Sequence, residues 1–131
     1  MKELKDNPHC YACGKDNPAG LQGVFAVDKS TRTITGRFIP RREHEGWQGI
    51  VHGGIMVTLL DEAMVKLAAH LGIPTVSAEI AVKFKAPAAP GEELFISGRL
   101  VKDAGRLIEA EATVMRGPVV IAEAKGKLLK T

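Results

Sequence analysis

Only one stretch of this chain repeats its apolar residues with a helical period, and no other feature narrows the fold as much. It follows His52, Gly53 and Gly54, begins at Ile55 and runs to about Leu71, where Gly72 and Pro74 stop it. Upstream, residues 22–28 (QGVFAVD) and 31–38 (TRTITGRF) read as strands around a short polar turn. Downstream, TVSAEIAVKFK alternates, so Val76, Ala78, Ile80, Val82 and Phe84 are expected on one face. Ser77, Glu79, Lys83 and Lys85 are then expected on the other. ELFISGRLVKD, GRLIEAEATVMR and PVVIAEAKGKLL give three further strands, separated by Ala104-Gly105 and Gly117-Pro118 turns. The order is β-β-α-β-β-β-β, an α+β class without the alternation that a parallel doubly wound sheet requires. The simplest solution is a curved antiparallel sheet wrapped around one long central helix. Val119, Val120 and Ile121 put apolar side chains on both sides of the last strand, which points to extra burial there, such as at a subunit contact.

The chain has 131 residues, enough for one hydrophobic core. Residues 1–20 are expected to form a turn-rich N-terminal segment, with Asn7-Pro8, Gly14, Asn17-Pro18 and Gly20, and residues 21–131 the domain proper. The net charge of +3 is scattered, and aromatic residues make up only 5% of the chain. Nucleic-acid binders concentrate basic charge on one face or interleave it with stacking rings, so no nucleic-acid partner is expected. No apolar run reaches the roughly 20 residues a membrane helix needs, so no membrane partner is expected either. The start, MKELKDNPHC, is too charged for a secretory signal, and a cytoplasmic location is expected. The two cysteines, Cys10 and Cys13, are too few for a disulfide framework. With His9 and a remote His44 they could complete a zinc site, but one CxxC is a weak signal. The favoured reading is a tight loop with two half-buried thiols, and no metal ligand is assigned.

On a helical wheel, Met56, Leu60, Ala63, Met64, Leu67 and Leu71 share one arc, with Val57 and Ala68 at its edge. Thr58, Glu62, Lys66 and His70 share the opposite arc. Glu62 precedes Lys66 by one turn, the favourable spacing for a solvated pair. Asp61 differs. It lies at the apolar edge, beside Val57, Met64, Val65 and Ala68, with no cation one turn away. Proteins avoid placing a carboxylate there unless it reaches water or does chemistry. Ahead of the helix, the glycines leave backbone N–H groups open to close approach where a helix carries unsatisfied donors and its positive dipole end. Such a terminus binds an anion or polarises a carbonyl oxygen. Asp61 is eight residues further, about 12 Å along the axis, too far to act on the same carbonyl within one chain. Across a dimer interface the two could meet.

GWQGIVHGGIMVTLLDEA (46–63), VKFKAPAAPGEEL (82–94) and CYACGKDNPAGL (10–21) together resemble the hot-dog fold acyl-CoA thioesterases, nearest the phenylacetyl-CoA thioesterase-like branch. The resemblance covers Cys10 to about Lys127. It implies a hot-dog fold, self-association as a dimer or tetramer with sites at the subunit interface, and hydrolysis of an acyl-CoA thioester to free acid and coenzyme A. By motif match it implies that the Gly53 amide polarises the thioester carbonyl, with His52 before it and Gly54 after it. Asp61 would be general base or nucleophile, and Ser77 would assist water. Gln48 stands where many relatives carry a polar group at a different offset. Lys85 and Arg106 are the candidate cations for the coenzyme's phosphates. No cofactor is required, since the coenzyme A moiety is part of the substrate. A thioester is already activated, so one base and one carbonyl polariser suffice. The rival readings are a non-catalytic acyl-CoA-binding hot-dog protein, a hydratase or dehydratase on the same fold, and a zinc-dependent module.

Overall fold

The computed structural model describes residues 4–131. Six strands and one long helix follow the expected order: β1 (Val24–Asp28), β2 (Thr33–Phe38), α1 (Gly53–His70), β3 (Thr75–Phe84), β4 (Leu94–Ala104), β5 (Leu107–Arg116) and β6 (Val119–Lys130). A short 3-10 turn, Arg42–His44, precedes the helix. The strands form one sheet in the order β1-β2-β4-β5-β6-β3, antiparallel throughout, so β3 leaves the helix to cap the far edge. Among the described residues no helix is long and apolar enough to cross a membrane.

Helix α1 lies on one face of the sheet and buries Met56, Leu59, Leu60, Ala63, Met64, Leu67 and Ala68 against Ile34, Ile96, Ile108, Val114 and Leu128. The buried arc is wider than the wheel suggests, because Leu59 is fully enclosed as well. His52 caps the helix N-terminus, its Nδ1 accepting from the Gly54 N–H at 2.8 Å. The other end closes as the glycine anticipates. The Ile73 N–H donates to Ala68 O at 2.9 Å, the Gly72 N–H to Ala69 O at 3.0 Å, and Gly72 adopts φ +82. That is a Schellman cap, which needs the left-handed residue glycine supplies.

Two bulges alter the simple alternation. In β3 the pairing with β6 slips between Ser77 and Glu79. Ile80 and Val82 pack on the core, and the Ser77 hydroxyl reaches the helix, so the residues before and after the slip share a face. The expected phase is therefore corrected: Ser77 is on the helix side, while Val76 is 44% exposed. In β6 the pairing with β5 skips Ile121, between Val120 and Ala122. Ile121 and Ala122 are consecutive and both buried, so that run reflects a bulge within the monomer.

The N-terminal segment packs onto the outer side of α1. Ala12 is buried, the Leu21 N–H donates to Tyr11 O at 2.8 Å, and the Gly23 N–H to Ala12 O at 2.9 Å. A Cβ on Gly14 would lie 2.4 Å from the Cys10 nitrogen, so only glycine fits that turn. This cover displaces the expected solvated pair. Glu62 accepts from the Cys10 thiol at 3.8 Å, and the Lys66 ammonium donates to the Cys13 sulfur at 3.4 Å.

Candidate functional site

The first locus forms where the loop before α1 meets the end of β3. Glu45 and Val51 pair as an isolated bridge, and the Glu45 carboxylate accepts the Gly49 N–H, folding 45–51 into a compact protrusion. Gly49 turns the chain at φ +80. The base of the loop is tied down by Val51 N–H to Ala88 O and His52 N–H to His44 O, both 2.8 Å. Gly46 packs against His52, where a Cβ would lie 3.1 Å from the ring. Between this loop, Phe84, Lys85, Ala88 and Ile121 lies an open cleft of about 1020 Å³, with His52, Gly53 and Met56 along its wall. Its rim is apolar: Trp47 is 83% exposed and Phe84 58%.

Gly53 is the first residue of the helix and lines this cleft. Because His52 takes the Gly54 N–H, the Gly53 N–H is left without a hydrogen-bond partner among the described residues. A side chain on Gly53 would stand 3.3 Å from the Phe84 ring, so glycine keeps the donor and the ring close together. A free N–H at a helix N-terminus, in the wall of a cleft, can stabilise a developing oxyanion.

The second locus lies two turns along α1. Asp61 is half-buried, and the Ser77 hydroxyl, brought inward by the β3 bulge, donates to its carboxylate. Neither residue lines the cleft at Gly53. The residues singled out from sequence thus fall into two groups. His52, Gly53 and Lys85 share the cleft, and Asp61 and Ser77 share a hydrogen bond about 12 Å along the helix axis from Gly53. Gly54 lies at the helix entry, its N–H committed to His52. Lys85 pairs with Glu123 at 3.6 Å, on an exposed surface where such a pair is easily displaced. Arg106 lies apart from both groups, in the two-residue β4–β5 turn, where its carbonyl accepts the Lys130 N–H.

Trp47 and Phe84 were not singled out as site residues from sequence. The signal was there for Trp47, the chain's one tryptophan, in a charged loop six positions before Gly53. Alternation places Phe84 on one face with Ile80 and Val82, and the open end of β3 leaves its ring 58% exposed at the cleft.

His44 and the thiols also part company. The His44 ring is buried against Phe38, with centroids 5.2 Å apart, and its Nδ1 accepts from the Arg41 N–H at 2.9 Å. Its Nε2 has no partner among the described residues. Burial, followed by the Arg41 charge, holds its pKa below the usual 6.5, against a smaller opposing pull from Glu43. The cysteines instead gather Glu62: one donor atom from each of Cys10, Cys13 and Glu62 lies within 4.8 Å of the others. The Cys13 thiol is pushed up to about 12, first by burial and then by the hydrogen bond and charge of Glu62. It is no nucleophile at neutral pH.

Comparison with known proteins agrees with this architecture. The thioesterase superfamily model matches residues 48–122, more than half of the chain, from just before the helix into β6. The mouse (Mus musculus) acyl-coenzyme A thioesterase 13 is 31% identical over 84 residues, which is 63% of this chain and 60% of that protein. The chain therefore matches less than two thirds of that relative's length. A crystal structure of a thioesterase superfamily protein superposes with a TM-score of 0.87 at 23% identity, covering 93% of this chain and 60% of that one. A thioesterase-like, phenylacetic acid degradation-related protein from Ralstonia eutropha JMP134 superposes with a TM-score of 0.77 at 20% identity, covering 83% and 85%.

Proposed function

This chain belongs to the thioesterase superfamily, and from that premise we propose that it hydrolyses acyl-CoA thioesters to the free acid and coenzyme A. The observation that carries the reading is the uncommitted Gly53 N–H at the apolar cleft, with a carboxylate–hydroxyl pair, Asp61 and Ser77, one fixed helix segment away. The mouse relative is named for action on acyl-coenzyme A, which sets the substrate class of the proposal.

The chemistry divides between the two loci of two copies. The thioester carbonyl oxygen accepts from the Gly53 N–H of one copy, where the helix dipole adds to the hydrogen bond. His52 holds Gly54 and so leaves the Gly53 donor free for this role. Asp61 of a second copy takes a proton from water as the water oxygen attacks the carbonyl carbon. The C–S bond then breaks, and the proton held by Asp61 passes to the departing thiolate, giving the coenzyme's free thiol and restoring the carboxylate. Ser77 holds the carboxylate in register through its hydroxyl. Lys85, at the cleft, and Arg106, at the β4–β5 turn, are the proposed contacts for the coenzyme's phosphates. The reaction draws on water and side chains and invokes no cofactor.

Two copies are needed because Gly53 and Asp61 sit about 12 Å apart on one rigid helix. A reacting centre must lie within hydrogen-bond reach of both. Strand β3 supports this assembly: it is a sheet edge, carries exposed Val76 and Phe84, and lies next to the cleft. Unpaired edge strands invite a second strand.

Thiol release from a panel of acyl-CoA esters, aromatic and aliphatic, tests the proposal. The wild type is expected to turn over at least one, and Asp61→Asn to lose about 10²–10⁴-fold in kcat. If CoA esters bind calorimetrically and no thiol appears, the protein is a non-catalytic acyl-CoA binder. If Asp61→Asn keeps full activity, the role given to that carboxylate is wrong.

A further inference from the structure

We propose that Cys10, Cys13 and Glu62 form a binding site for one zinc ion that staples the N-terminal segment to helix α1. Three donor atoms, two sulfurs and one carboxylate oxygen, already lie within 4.8 Å of one another. In a tetrahedral zinc site with Zn–S near 2.3 Å and Zn–O near 2.0–2.2 Å, ligand atoms are spaced roughly 3.5–3.8 Å apart. The Cys10 sulfur stands 3.8 Å from the Glu62 oxygen, so little movement converts that contact into shared coordination.

The donors come from two segments 52 positions apart in the chain. The turn Asn7–Gly14 presents both thiols on one side, held by Cys10 N–H to Asn7 O at 3.0 Å and Gly14 N–H to Cys10 O at 2.9 Å. Gly14 has no room for a side chain, which fixes the spacing of that turn. Glu62 rises from α1, a rigid helix. Zinc bound by two thiolates and a carboxylate carries a net charge of minus one, and the Lys66 ammonium stands 3.4 Å from the Cys13 sulfur to balance it. Binding balances as Zn²⁺ plus two thiols plus one carboxylate, giving the complex and two protons released to solvent, with no change of oxidation state.

The cysteines and Glu62 border a cavity of about 830 Å³, which leaves room for a water at the zinc's fourth position.

The test uses the full chain, kept reduced and freed of metal by chelator. Cobalt(II) is added first as a spectroscopic probe, and zinc is then titrated against a chromophoric chelator. One equivalent per chain is expected, with a thiolate-to-cobalt charge-transfer band that zinc abolishes. Glu62→Gln preserves shape and is expected to bind zinc at least about 10-fold more weakly, since losing a ligand costs no less than losing an outer-shell partner. Cys10→Ser is expected to lose the charge-transfer intensity. If Cys10→Ser fails to fold, zinc-dependent thermal stabilisation of the wild type, absent in Glu62→Gln, carries the same test. Less than a tenth of an equivalent of zinc, or unchanged affinity in Glu62→Gln, overturns the proposal. None of these readouts depends on thioester turnover.

Discussion

At the scale of single residues, the proposed site turns on one backbone hydrogen. Gly53 is the first helical residue, a position where proline is tolerated because its missing N–H has no intrahelical partner. His52 before it is extended (φ −58, ψ 134), as a residue preceding proline should be. Gly53→Pro is therefore expected to fold and to lose about 10²–10³-fold in kcat, the cost of one oxyanion donor. Gly53→Ala is its control: it adds the same Cβ, 3.3 Å from Phe84, and keeps the N–H. Equal losses in both variants would assign the effect to crowding instead. His44 yields a stability prediction. Its folded-state pKa is depressed below 6.5, so the unfolded chain protonates first as pH falls. Stability is fully present above about 6.5 and declines as pH drops from there through the folded-state value. Urea midpoints between about pH 7.5 and 5 should fall more steeply for wild type than for His44→Asn.

At the scale of elements, α1 is both the core of the sheet and the ruler of the site. Leu60 is fully buried one residue before Asp61. Leu60→Ala is expected to destabilise by about 2–5 kcal/mol, read from the urea midpoint. The cavity also frees the helix to shift under Asp61, so kcat should fall although Leu60 touches no substrate. Strand β3 has a comparable double role. Its slip between Ser77 and Glu79 brings Ser77 to the helix side while keeping Ile80 and Val82 on the core. Bulges recur near functional sites because they re-aim a side chain without breaking the sheet.

For the whole molecule, the separation of Gly53 from Asp61 means that the proposed reaction requires two copies. Gly53→Pro and Asp61→Asn homodimers each lack one half of every site. Mixed and allowed to exchange, they should recover about one quarter of wild-type activity, since random pairing around a two-fold axis leaves one intact site in each heterodimer. No recovery, with exchange confirmed by native mass spectrometry, would mean that both halves act within one chain. Dilution should lower specific activity as the copies separate.

The sequence by itself determined the single helix, its Gly72 cap, the six strands and their order, and the spacing that sets Gly53 and Asp61 about 12 Å apart along α1. These depend on periodicity, turn residues and helical rise, all of which act over a few neighbouring positions. What the tertiary structure alone decided involves partners far apart in sequence. The face of Ser77 depends on the β3–β6 register, and the inward doublet Ile121–Ala122 on the β5–β6 register, neither of which a strand carries in its own residues. Glu62 read as a solvated partner of Lys66, four positions away. The N-terminal turn, 52 positions distant, covers it and gives it a thiol instead. Local rules place each side chain on its element, and long-range packing decides what that side chain meets.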